Sequence, residues 1–64
     1  MVPDILDTRD AASYVRLAVV TMERLRLTGD GPPFCKLGKA VRYRKADLDA
    51  WLASRLVQST SSGA

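Results

Sequence analysis

Sixty-four residues with a net charge of +3 allow one small domain. The absence of histidine and the single cysteine exclude an internal disulfide, the common zinc-ligand sets and histidine-based catalysis. No apolar run nears the roughly 20 residues that span a bilayer, and the acidic start MVPDILDT lacks the basic lead of a signal peptide, so a cytoplasmic location with no metal and no cofactor is expected.

Asp7 opens the first helix. Its carboxylate can accept from the backbone N–H of Arg9 or Asp10, with Asp10 at the third position of a capping box. The helix is predicted over Thr8–Val15, with Ala11, Ala12 and Val15 on a small apolar face and Tyr14 at its edge. Arg16 and Leu17 form a turn. A second helix is predicted over residues 19–27. Met22 and Leu25 face inward, with Leu17 just ahead of them; Val19, Glu23 and Arg26 line a second face, and Val20, Arg24 and Leu27 a third. Two helices joined by so short a turn, the second carrying arginines on its outer side, have helix-turn-helix spacing. A plain helical hairpin has the same pattern.

Gly29 and the Pro32-Pro33 pair end the helix and feed an extended segment. Cys35 and Leu37 are expected on one face of a first strand, Val41 and Tyr43 on the apolar face of a second, and Gly38-Lys39 as the two-residue turn between them. Arg42 and Arg44 then make the other face of the second strand cationic. Cys35 is expected to be a small buried hydrophobe rather than a reactive thiol. A last helix starts near Ala46, with Asp47 and Asp49 suited to the positive end of its dipole. Leu48, Trp51, Leu52 and Leu56 form its apolar stripe, and Trp51 is expected to anchor the core. Residues 57–64, ending in QSTSSGA, are expected to be a disordered tail, which sets the domain at residues 5–56.

Charge is unevenly placed along these elements. Residues 1–15 carry −2, residues 16–44 carry +5 from seven cations against Glu23 and Asp30, and residues 45–64 balance. A basic middle is the electrostatic footprint of a polyanion binder, although a merely soluble basic surface has the same composition.

With the order helix, turn, helix, proline-bounded loop, basic hairpin and helix complete, the chain resembles the MerR-like winged helix-turn-helix family of phage excisionases and AlpA-type regulators. The resemblance rests on ILDTRDAASYV, TMERLR and above all GPPFCKLGKAVRYRKADLDAWL, and covers about residues 5–55. It implies an α+β fold: a small winged helix-turn-helix with a two-stranded wing and a C-terminal helix. Double-stranded DNA is the implied partner. By position, Val19, Val20, Glu23 and Arg24 would face the major groove, and Arg26 would reach phosphate from the helix edge. Lys36, Lys39 and Arg42 would be the wing contacts, with Arg44 a further candidate. The implied function is that of an excisionase, or recombination directionality factor, which binds and bends attachment-site DNA cooperatively, self-associates on it and assists a tyrosine-type integrase at the bacterial nucleoid. Two alternatives use the same residues. One is an AlpA-type transcriptional regulator. The other is a protein-interaction module that has lost DNA binding and holds a partner through Val19 and Val20. An enzyme is not expected, for the chain has no histidine, no paired carboxylates in a plausible cleft and no phosphate loop.

The chain departs from the family pattern between the two helices. Where the family places a glycine, a serine cap and then polar or basic residues, this chain has Arg16, Ala18, Val19 and Val20. Ala18 cannot cap a helix, a loss of about 1 kcal/mol. Thr21 would cap a shorter helix and take Val19 and Val20 off the groove face. Two exposed valines offer bases no hydrogen bonds; thymine methyls or a protein partner are the contacts open to them.

Overall fold

The computed structural model describes residues 2–57, so residues 58–64 of the expected tail lie outside the described residues. The elements are β1 (Ile5–Asp7), α1 (Thr8–Val15), α2 (Val19–Thr28), β2 (Cys35–Leu37), β3 (Ala40–Arg44) and α3 (Lys45–Ser54). The strands form one antiparallel sheet in the order β1-β3-β2. This is the small α+β winged helix-turn-helix expected from the sequence, with one strand added.

The added strand is β1. Its three residues pair with β3 in the register Ile5↔Arg44, Leu6↔Tyr43 and Asp7↔Arg42. The backbone N–H of Lys45 continues the join by donating to the Asp4 carbonyl at 2.8 Å. Asp7 therefore ends a strand and starts a helix, because its side chain accepts from the Asp10 N–H at 2.8 Å while its own backbone stays extended. The cap is as expected.

The turn between α1 and α2 is made by Arg16 in the left-handed region, at φ 65° and ψ 40°. Its N–H donates to Ser13 O at 3.1 Å and that of Leu17 to Ala12 O at 2.9 Å, which satisfies carbonyls at the helix end. An L-residue other than glycine pays roughly 1–2 kcal/mol for this conformation. Leu17, expected to point inward, is instead exposed. α2 then begins at Val19 with Ala18 as an N-cap that makes no side-chain hydrogen bond. The shorter helix capped by Thr21 does not form.

The core is six side chains: Leu6 from β1, Ala11 and Ala12 from α1, Met22 from α2, Tyr43 from β3 and Leu48 from α3. Tyr14, Val15 and Val41 pack around them. Among the described residues, no charged or polar side chain is buried with them. Two alanines on α1 let neighbouring elements approach closely, and Tyr43 fills the space between.

Trp51 is not the core anchor. It is half-buried at the edge, where its indole N–H donates to the Asp30 carbonyl at 3.0 Å. Leu52 is exposed, and Leu56 is 76% exposed beyond the end of α3. The apolar stripe of α3 thus reaches the core only at Leu48, because the centre is already occupied by the Tyr43 ring. Trp51 has a different task. Together with the Arg55 guanidinium, which also donates to the Asp30 carbonyl, it ties α3 to the loop that follows α2.

The hairpin turn is where it was predicted, but its faces are not. Leu37 pairs with Ala40, Lys36 with Val41 and Cys35 with Arg42. Paired residues of an antiparallel sheet share a face. Cys35 and Leu37 therefore lie with Arg42 and Arg44 on the outer face, and Lys36 lies on the face of Val41 and Tyr43. Leu37 is accordingly 61% exposed, and Cys35 is only half-buried. Gly38 has φ 64°, whereas Arg16 is the sole non-glycine residue with positive φ among the described residues. Lys39 therefore has negative φ, and the glycine-first turn follows the type II′ pattern.

A surface staple joins α1 to α3. The Tyr14 hydroxyl donates to one Asp49 oxygen, the Lys45 ammonium donates to the other at 2.8 Å, and the same ammonium lies 5.6 Å from the centre of the Tyr14 ring. The hydrogen bond from Lys45, and then that from Tyr14, hold the Asp49 carboxyl below its ordinary pKa. The hydrogen bond to Asp49 holds Lys45 above its own.

Two outcomes are expected. Tyr43→Ala removes about 3–5 kcal/mol, comparable with the whole stability of so small a domain. It should abolish cooperative melting by circular dichroism, whereas Trp51→Ala keeps a cooperative transition. Asp49 stabilises the fold above its ordinary pKa of about 3.9 and loses this as pH falls through its depressed value; Lys45 contributes below about 10.4 and loses this as pH rises through its raised value. Asp49→Asn should remove both contributions, so that midpoint-versus-pH curves of the two proteins converge at the acid end.

Candidate nucleic-acid interface

The surface made by α2 is short and mostly apolar. Met22 is buried and Leu25 half-buried against the rest of the domain, so the residues that remain exposed are Val19, Val20, Glu23, Arg24, Leu27 and, at the last position, Thr28. Val20, Arg24 and Leu27 are spaced to lie along one line of the helix, and Val20 is 61% and Leu27 87% exposed. Of the first five, only Arg24 can donate a hydrogen bond through its side chain, and only Glu23 can accept one; the Thr28 hydroxyl already donates to the Leu25 carbonyl at 3.2 Å.

The expected wing cations do not share a face. Lys39 sits at the hairpin tip and Lys36 on the face of Tyr43, which is the side where α2 lies. Arg42 and Arg44 project from the opposite face. Arg42 is half-buried and its guanidinium donates to the Val41 carbonyl at 2.8 Å. Arg44 is held by a two-point ion pair with Asp47, at 2.7 and 2.9 Å. That hydrogen bond raises the Arg44 pKa further.

Arg26, expected to reach phosphate, is turned into the domain. Its Nη1 donates to the Tyr43 hydroxyl at 3.1 Å and to Thr8 Oγ1 at 3.2 Å, and the guanidinium carbon lies 5.7 Å from the centre of the Phe34 ring. Phe34 in turn lies 6.2 Å from the Tyr43 ring at a tilt of 51°. One arginine of α2 thereby contacts the start of α1, the middle strand and the segment that enters the wing. The position on the helix explains this. Arg26 follows Met22 by four residues and so leans toward the buried side of α2.

The connection from α2 to β2 is held equally closely. A Cβ at Gly31 would lie 2.9 Å from Leu25 Cβ, so only glycine lets the loop pass there. Pro32 is buried behind it. Leu25, Arg26, Gly31, Pro32, Pro33 and Phe34 line an open groove of about 400 Å³. Arg26 is the sole titratable side chain among these lining residues.

Most of the unpaired positive charge lies on one part of the chain, with the exposed Arg9 of α1 apart from it. The ion pairs among the described residues are Arg44–Asp47 and Lys45–Asp49, both at the start of α3. Arg16, Arg24, Lys36 and Lys39 make none. Their positions run from the interhelical turn through α2 to the wing tip, with Glu23 and Asp30 as the acids among them. A polyanion meeting this segment encounters cations that need not break an ion pair first.

Two contributors were not anticipated from the sequence. Phe34 is invisible to a count of buried residues, being partly exposed, and follows two prolines; its link to Tyr43 becomes readable only once the hairpin turn is used to count back along β2. Arg16 was read as a turn residue and counted in the basic segment but not among the contacts, yet it is an unpaired cation beside the start of α2.

A family model described as a helix-turn-helix domain matches residues 5–56. The match begins at β1 and ends two residues past α3. No curated protein sequence matches the chain significantly.

Arg26 can be tested as the joint between α2 and the wing. Tyr43→Phe is expected to cost about 1 kcal/mol and Arg26→Met about 2 kcal/mol in urea denaturation. The double variant should lose less than the sum, because both remove the same hydrogen bond. Strict additivity would show that the two side chains act separately.

Proposed function

The chain belongs to this helix-turn-helix family of DNA-binding domains, and from that premise we propose that it is an excisionase-type recombination directionality factor of the MerR-like winged-helix group. In this reading α2 enters the major groove and presents Val19, Val20, Glu23 and Arg24. Lys39 at the wing tip, with Lys36 and Arg42 beside it, meets the sugar-phosphate backbone. Arg44, already held by Asp47, is a secondary contact, and Arg26 sets the angle between helix and wing instead of binding phosphate. The protein carries out no covalent chemistry. It binds several sites cooperatively beside an attachment site, bends the duplex, and favours excision by a tyrosine-type integrase.

The observation that carries this reading is the division of the cations. Those at the start of α3 are neutralised by Asp47 and Asp49, whereas those from Arg16 to Lys39 are unpaired. Such a distribution suits phosphate binding driven by counterion release. Few hydrogen-bonding groups on α2 also suit a protein that draws specificity from DNA shape and from cooperation between copies. A transcriptional regulator of the AlpA type would use the same contacts at a promoter.

Binding is measured on random duplex and on candidate attachment-site DNA at 50 and 200 mM salt, across a range of protein concentrations. With about four phosphates neutralised, affinity is expected to fall roughly 100-fold between the two salts. Lys39→Glu with Arg42→Glu should abolish it. Absence of binding at low salt, or indifference to the charge reversals, would favour a protein-interaction module. Binding without sequence preference or cooperativity removes the excisionase reading, and a preference for promoter over attachment-site DNA favours the regulator.

A further inference from the structure

The first turn of α2 carries two valines where a base-reading helix ordinarily carries polar side chains. Both are exposed, Val20 more than Val19. They are not loosely packed core residues, since Met22 and Leu25 already supply the inward face of the helix. Nor does either side of the hairpin cover them, for the wing is held to α2 at Arg26, near the other end of the helix. Unpaired cations flank the valines, Arg16 in the preceding turn and Arg24 one helical turn beyond Val20, with one acid, Glu23, a turn beyond Val19. An apolar spot bounded by free positive charge is a poor surface for an apolar protein partner, which would have to desolvate both arginines. It matches a major groove, where phosphates line the rims and the floor offers one kind of apolar group, the C5 methyl of thymine.

We propose that Val20, with Val19 beside it, reads thymine through its methyl group, and that this apolar contact is the main base-specific signal taken from the α2 surface. The inference rests on the DNA-binding reading above and adds to it the chemical feature recognised. The polar inventory of the same face supports it. Arg24 can address guanine, and Glu23 can accept from cytosine N4, whereas no outward side chain of α2 offers the amide that pairs with adenine at both N6 and N7. Two-point reading of adenine is therefore not open to this helix, and the thymine methyl is the groove feature its two valines can meet. The selected sites should contain thymine at fixed positions, and the discrimination should come from the methyl and not from a hydrogen bond.

The test replaces thymine by deoxyuridine, which keeps every hydrogen-bonding group and every phosphate and removes only the methyl. Sites are first selected from a random duplex library with the full chain, then resynthesised with deoxyuridine at each thymine in turn. At one or two positions the dissociation constant should rise about fourfold for the methyl lost, while the slope of log affinity against log salt stays unchanged. Val19→Ser with Val20→Ser, whose folding is checked by its melting curve, should bind the two duplexes equally. Equal affinity of the wild-type protein for thymine and deoxyuridine sites overturns the methyl reading and leaves DNA binding intact. A difference that persists in the double serine variant also overturns it, since the methyl is then acting through DNA shape. Failure to bind either duplex at low salt overturns the DNA-binding reading itself.

Discussion

The arrangement of this domain depends on a single guanidinium. Arg26 lies on α2 but bonds to Thr8 at the start of α1 and to Tyr43 in the middle strand, with Phe34 packed across its face. Helix-turn-helix surfaces and wings are useful only if they meet the same ligand at once, and in this chain little else joins them. The core contains one side chain from α2 and none from β2. Angular precision between helix and hairpin thus rests on directional polar bonds at the edge of a very small apolar centre. Such bonds are modest in energy but exacting in geometry, which suits a part whose purpose is alignment.

The same economy appears in the use of charge. Arg26 and Arg55 serve the interior and the loop, Arg44 and Lys45 pair with the acids of α3, and of the cations left over Arg9 stands on α1 while the rest fall on the turn, α2 and the wing. A net charge of +3 understates this division. What a polyanion senses is the unpaired subset and its placement, and here acids elsewhere on the chain remove competing positive charge from the far side.

Much of this was legible in the sequence, and the failures have identifiable causes. The limits of α1 follow from the Asp7 cap and those of α2 from Gly29, so helix lengths were readable to within a residue. The Gly38-Lys39 turn was also readable, and it contained the correction to its own strands. A two-residue turn pairs 37 with 40, hence 36 with 41 and 35 with 42, which places Cys35 and Leu37 opposite the face of Tyr43. Judging each strand by its hydrophobic residues alone overrode that count. β1 escaped notice because three residues beside a helix cap carry too little periodicity, and its pairing with β3 is a long-range event. Trp51 was misjudged on size. A large side chain anchors a core only if no other ring is better placed, and Tyr43, central in the sheet, is. Among the candidate contacts, Val19, Val20, Glu23 and Arg24 are exposed on α2, whereas Arg26 turns inward and the wing cations divide between two faces, both consequences of packing that a linear count of charges does not contain.

The turn at Arg16 has an effect on how the domain can change by mutation. Everywhere else in the basic segment, losing a cation returns nothing to the fold, because Arg24, Lys36 and Lys39 stand on relaxed backbone. At position 16 the two quantities are opposed: glycine would relieve a left-handed conformation that arginine adopts at a cost, and would remove a positive charge in the same step. Selection for sturdiness alone would drift toward the uncharged turn, and selection for attraction to a polyanion would resist it. One codon thus links the durability of the domain to its electrostatic reach, and populations under different demands can move along that line by a single substitution.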